Sequence, residues 1–184
     1  YYVKHRLVPF GEYVPLKSSL FFFMDKLVQP AGDFVPGSKY TVVGVRSASS
    51  GDNIPVSTVI CYEIIFPDLV RRFVQEGAAV ITTITNDAWF GRTSAPYQHF
   101  SMAIFRAVEN RVPVARAANT GVSGFIDAKG RIHNASAIFT DAVRTRTLVP
   151  GTTRTFYTRH GDVFAWLCVL ISLGMLLPMR YRQK

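Results

Sequence analysis

Ile54-Pro55-Val56-Ser57-Thr58-Val59-Ile60-Cys61-Tyr62-Glu63 opens the stretch that decides the fold. Its β-branched apolar run reads as a buried strand ending at Ile60. Pro67-Asp68-Leu69-Val70-Arg71-Arg72-Phe73-Val74-Gln75-Glu76 follows and predicts a helix, with Leu69, Val70, Phe73 and Val74 on one face and Gly77 as its stop. Ala78 to Thr85 then predicts a second strand. Strand, helix, strand is a βαβ unit, and ligands in such folds collect at the carboxyl ends of the strands. Cys61 stands at that end. A free cysteine is most often a small buried apolar residue, and by itself this segment favours that reading.

Outward from this unit the elements are shorter. A strand-like start and the turn-rich Pro9-Phe10-Gly11-Glu12-Tyr13-Val14-Pro15 come first, and Tyr40 to Val45 predicts a strand. Leu20-Phe21-Phe22-Phe23-Met24, within residues 16–29, fits either a core helix or a segment dipping into a bilayer interface. Beyond Thr85 lies the polar and aromatic loop Asn86-Asp87-Ala88-Trp89-Phe90-Gly91. A helix is expected over Tyr97–Asn110, and paired strands over Val112–Ala118 and Val122–Ile126. Asp127-Ala128-Lys129-Gly130 reads as a hairpin turn, with Ile132–Phe139 and Ala142–Val149 extending the sheet.

The 184 residues carry 21 Lys and Arg against 12 Asp and Glu, a net charge of +9. The basic residues are scattered and no nucleic-acid motif is present, so nucleic acid is excluded as a partner. Attraction to anionic membrane lipids fits the charge better. Cys61 and Cys168 are the two cysteines. Their surroundings differ too much for a disulfide, so both are read as thiols and the compartment is left open.

Val163 to Leu177 is an uncharged apolar run, extended by Pro178 and Met179 and closed by Arg180, Arg182 and Lys184. It is apolar on every face, with Trp166 near one end, and predicts a membrane span over 161–179 with a basic cytoplasmic tail at 180–184. Residues 1–160 then form one domain on the far side. A buried core helix is the alternative.

A thiol acts only as thiolate, helped by a base or a cation. His5, His99, His133 and His160 form no recognisable Cys–His arrangement. Lys4 and Glu12 offer another route, since a carboxylate beside a lysine holds the ammonium that stabilises a thiolate or an oxyanion. Lys4-His5-Arg6-Leu7-Val8-Pro9-Phe10-Gly11-Glu12-Tyr13-Val14-Pro15, Ile60-Cys61-Tyr62-Glu63 and Thr85 to Gly91 are the first three of four ordered motifs. Arg106 to Arg111 with Arg116 to Gly124 is the fourth. Together they resemble the nitrilase superfamily, closest to its membrane branch, the apolipoprotein N-acyltransferases.

The resemblance implies an α/β nitrilase-like α-β-β-α sandwich, partial because its first strands are missing, followed by one transmembrane helix. It implies that Cys61 is the nucleophile, Lys4 the triad lysine and Glu12 a further catalytic glutamate orienting it. Tyr62, Glu63 and Trp89 would surround the pocket, with the Tyr62 backbone N–H assisting an oxyanion. The implied reaction moves a fatty acyl group from a phospholipid donor, through a thioester, to the α-amino group of a diacylated apolipoprotein, without cofactor or metal. The implied location is the bacterial cytoplasmic (inner) membrane, with the catalytic domain on the periplasmic side. The family's general base precedes its lysine, and Glu12, Glu63, Glu76 and Glu109 all follow Lys4. The chain is therefore expected to be a C-terminal part of the enzyme, inactive alone. A membrane-tethered amidase and a non-catalytic fragment are the competing readings.

Overall fold

The computed structural model describes residues 2–13 and 34–181, with side chains as far as residue 176. Leu20–Met24 lies outside the described residues. Among the described residues six strands form one sheet in sequence order: β1 (Val43–Arg46), β2 (Asn53–Ile60), β3 (Val80–Asn86), β4 (Val114–Asn119), β5 (Gly124–Ile126) and β6 (Ile132–His133). The pairs β2–β3 and β3–β4 are parallel; the outer pairs are antiparallel. The carboxyl ends of the three central strands therefore open on the same edge.

Helix α1 (Pro67–Gln75) bridges β2 and β3, as its apolar spacing predicts, and Leu69, Val70, Phe73 and Val74 are all buried. Pro67 starts it where a missing N–H costs nothing. Gly77, at φ +110°, ends it in a Schellman motif: the Gly77 N–H donates to the Val74 carbonyl and the Ala78 N–H to that of Phe73. Helix α2 (Ala95–Asn110) bridges β3 and β4 and buries Phe100, Ala103 and Ala107. Both helices cover one face of the sheet, where they meet Val59, Ile81, Val114 and Ile126.

The opposite sheet face is uncovered among the described residues: Val43, Val45 and Ile84 are 55%, 50% and 51% exposed. The expectation of a partial, nitrilase-like α/β fold is met. One helix layer and one sheet layer are described.

Three local expectations need correction. The first residues form no strand; beyond an isolated Pro9–Tyr13 bridge, their backbone bonds go elsewhere. The N–H groups of His5 and Arg6 donate to the Glu63 carboxylate, and Gly37 donates to the Lys4 carbonyl. The Ile132 strand stops after His133 because Asn134 takes φ +54° and turns the chain. Among the described residues Ala142–Val149 pairs with no strand, and Val143 and Val149 are 89% and 80% exposed.

Short helix α3 (Phe156–His160) leads into α4 (Val163–Tyr181). Thr158, fully buried, ties α3 to α2 by donating from its hydroxyl to Asn110 Oδ1 at 2.9 Å. Among the described residues no helix is long and apolar enough to cross a membrane.

Candidate active site

Ile60 ends β2, and Cys61 begins a 3-10 turn (Cys61–Ile65) with φ +53°. A non-glycine residue in the left-handed region is held there by its surroundings at a cost of roughly 1–2 kcal/mol. The kink lifts the thiol out of the sheet at its carboxyl edge, leaving it partly exposed. A cavity of about 530 Å³ lies over it, and Cys61, Glu12, Tyr62, Trp89 and His99 are among its lining residues. Val8, Ile65, Phe90 and Met102 make most of the remaining wall apolar.

Lys4 reaches this site through Glu12. Its Nζ donates to both carboxylate oxygens, at 2.7 and 2.8 Å, and its side chain is only 12% exposed. Glu12 is itself fixed by the Val8 N–H, 2.9 Å from Oε2. A bidentate, mostly shielded pair of this kind fixes an ammonium in place far better than a solvated surface pair does. The structure thus brings Glu12, Cys61, Tyr62 and Trp89 to one cavity, with Lys4 docked on the first of them. Trp89 stands at the rim, 87% exposed.

Glu63 is placed differently from the pocket position expected of it. It is fully buried and does not line the cavity. Its carboxylate accepts from the Tyr2 hydroxyl (2.7 Å), the Ile60 N–H (2.7 Å), the Arg6 N–H (3.1 Å) and the His5 N–H. Burial and the neighbouring carboxylate push the Tyr2 hydroxyl far above its ordinary range, so it stays a donor. Glu63 therefore ties the segment carrying Lys4 to the turn carrying Cys61. Stacked and edge contacts among Tyr2, His5, Tyr40 and Phe73, with centroids 4.7 to 5.8 Å apart, hold the same junction.

A second polar group lies beneath the thiol, built from Asp87, His99 and Arg116. Asp87 is fully buried; its Oδ1 lies 2.9 Å from His99 Nδ1 and accepts from the Thr85 hydroxyl at 2.9 Å. Arg116 Nη2 donates to Oδ2 at 2.7 Å, and neither side chain of that pair is exposed. Burial alone would raise the Asp87 carboxyl. The His99 hydrogen bond, the Arg116 charge and the Thr85 hydroxyl outweigh it and hold the group below its usual range. Burial lowers the Arg116 guanidinium, against the pull of Asp87. His99 Nε2 lies 3.2 Å from the Cys61 carbonyl oxygen, so the contact is with the backbone rather than the thiol. No spacing along the chain signals this contact, because the two residues sit on different elements. Among the described residues no group of three His, Cys, Asp or Glu side chains could hold a metal.

The profile of the carbon-nitrogen hydrolase family matches residues 1–157. The chain belongs to the carbon-nitrogen hydrolase family. Within it, the chain is 46% identical to an apolipoprotein N-acyltransferase of Geobacter metallireducens, over 98% of this chain and 33% of that protein. It is 37% identical to an apolipoprotein N-acyltransferase of Haemophilus influenzae, over 100% of this chain and 34% of that protein. This carbon-nitrogen hydrolase chain thus spans about a third of the length of the curated relatives it matches. Saccharomyces cerevisiae Nit3, a member of branch 10 of the nitrilase superfamily, aligns with 56% of this chain and 39% of its own at 23% identity, with a TM-score of 0.46.

Proposed function

We propose that the chain is the C-terminal part of an N-acyltransferase that moves a fatty acyl group from a phospholipid to the α-amino group of a diacylated apolipoprotein. The observation that carries this reading is that Cys61 lines one largely apolar cavity together with Glu12, the carboxylate that holds Lys4. In the first half-reaction the Cys61 thiolate attacks the ester carbonyl carbon. The carbonyl π electrons move onto oxygen, where the Lys4 ammonium and the Tyr62 N–H stabilise the charge. Collapse breaks the ester C–O bond, and the lysophospholipid alkoxide leaves with a proton. In the second half-reaction the acceptor amine attacks the thioester and gives a proton to the general base, and the C–S bond breaks, releasing Cys61 as thiolate and leaving an amide. The general base precedes Lys4 in this reading.

An apolar wall suits an acyl chain better than a small amide. Helix α4 supports the membrane assignment: Phe164, Trp166, Leu167, Leu170, Ile171, Leu173 and Met175 are each more than half exposed, so among the described residues little protein covers its apolar surface. We read 161–179 as membrane-embedded, 180–184 as a cytoplasmic tail, and residues 1–160 as one domain on the periplasmic side of a bacterial inner membrane. The bare sheet face is where the remaining layers of the sandwich belong.

The test uses the intact protein with Cys61→Ala and labelled phospholipid. No acyl-enzyme should form, whereas Cys168→Ala should form it normally; acyl-enzyme in Cys61→Ala overturns the reading. Following the label from the wild-type thioester to a lipopeptide amine, rather than to water, separates transferase from hydrolase.

A further inference from the structure

We propose that His99 is a positioning residue that orients the Cys61–Tyr62 peptide for oxyanion stabilisation; this rests on Cys61 being the nucleophile. A carbonyl oxygen only accepts hydrogen bonds, so the 3.2 Å contact from His99 Nε2 to the Cys61 oxygen requires a hydrogen on that nitrogen. At the other ring nitrogen, Nδ1 lies 2.9 Å from Asp87 Oδ1 and 3.1 Å from Arg116 Nη2. A hydrogen on Nδ1 donates to the carboxylate; without one, two lone pairs would face each other across 2.9 Å. In either state Nε2–H points at Cys61.

The peptide unit is planar and trans, so its carbonyl and the next N–H point in opposite directions. Fixing the Cys61 carbonyl on His99 therefore fixes the direction of the Tyr62 N–H, the donor expected to meet the developing oxyanion. That peptide needs an external hold, since Cys61 sits at φ +53° without being glycine. His99 is suited to give one. It is only 7% exposed, carried in the second turn of α2 and braced from behind by Asp87, which Thr85 and Arg116 lock in turn. Gly121 belongs to the same assembly: a Cβ there would collide with Asp87 Oδ2.

Two neutral substitutions of similar bulk separate the halves of the imidazole. His99→Gln can place an amide N–H where Nε2 stood, keeping the bond to Cys61 and losing Asp87. His99→Asn can reach Asp87 as Nδ1 did and loses Cys61. In the intact protein, acylation of Cys61 by a p-nitrophenyl ester is compared with its alkylation by iodoacetamide, both read on the Cys61 peptide by mass. Acylation builds an oxyanion; alkylation does not.

His99→Asn should slow acylation at least about tenfold, which corresponds to about 1.4 kcal/mol and sits below the ~10²–10³ lost with a whole oxyanion donor. His99→Gln should stay within about threefold of wild type, and alkylation should be little changed in both. The inference is overturned if Gln loses as much as Asn, if acylation and alkylation fall together, or if neither variant slows. Wild-type Cys61 that alkylates but never acylates would sink the nucleophile reading itself. Ester acylation without phospholipid acylation would sink only the choice of donor and leave the role of His99 standing.

Discussion

Glu63→Gln is the sharpest perturbation this architecture offers, because it keeps shape and removes one acceptor oxygen. Four donors converge on the two oxygens: Tyr2 and Ile60 on Oε2, His5 and Arg6 on Oε1. An amide nitrogen on the Oε1 side would face two backbone N–H groups that have no alternative. Placed on the Oε2 side, it lets the Tyr2 hydroxyl turn and accept, and strands only the Ile60 N–H. The second arrangement wins. It still leaves one buried donor unsatisfied, at about 1–3 kcal/mol, and replaces charge-assisted bonds by neutral ones. The expected loss is about 2–4 kcal/mol, which for a domain of this size lowers Tm by roughly 5–15 °C. Because residues 2–13 carry Lys4 and Glu12, cleavage in that segment under limited proteolysis should accelerate with the loss. Thermal unfolding and timed proteolysis of the intact protein read both effects. A Tm within about 2 °C of wild type, with unchanged cleavage, would refute the view of Glu63 as the tie between the Lys4 segment and the Cys61 turn.

Gly121→Ala should lower Tm and slow Cys61 acylation together, since the new methyl group would displace Asp87 from its backbone-tight seat; unchanged acylation would show that the buried acid tolerates movement. Asp87 contributes a pH dependence of known sign. Its carboxyl is held below the ordinary range in the folded state, so its stabilisation is complete above the unfolded value near 4 and is lost as pH falls through the folded value. Denaturant midpoints measured from pH 6 down to pH 3 should therefore fall more steeply for wild type than for Asp87→Asn, which starts roughly 3–5 kcal/mol lower because Arg116 loses its buried partner; parallel curves would contradict this. Trp89→Ala should leave Tm within about 1 °C, as expected of an 87% exposed side chain. It should raise KM for phospholipid with little change in kcat, and an unchanged KM would remove Trp89 from the substrate path.

The βαβ unit was legible because every signal in it agreed. The β-branched run before Cys61, the apolar spacing of Leu69, Val70, Phe73 and Val74, and Gly77 all specify the elements that form. Boundaries failed where burial did not back the pattern. Ala142–Val149 alternates like a strand, yet no neighbouring ladder receives it and its valines remain in solvent. At the site, Cys61, Glu12, Tyr62 and Trp89 could be gathered from ordered motifs. Glu63 was found by its motif, but its task was misjudged, because four donors arriving from distant residues are invisible along the chain.

The sequence alone determined where the strand before Cys61 ends, and so the edge of the sheet on which a thiol would stand. Spacing and side-chain branching act locally, and local rules suffice for that. Tertiary structure alone decided which charges meet. Lys4 finds Glu12 within one compact turn, but Glu63 reaches back 58 residues to the His5 N–H, and Asp87 draws His99 and Arg116 from separate elements. Those meetings follow from desolvation: a carboxylate buried without donors is too costly to keep, so the fold must deliver them from wherever they lie in the chain.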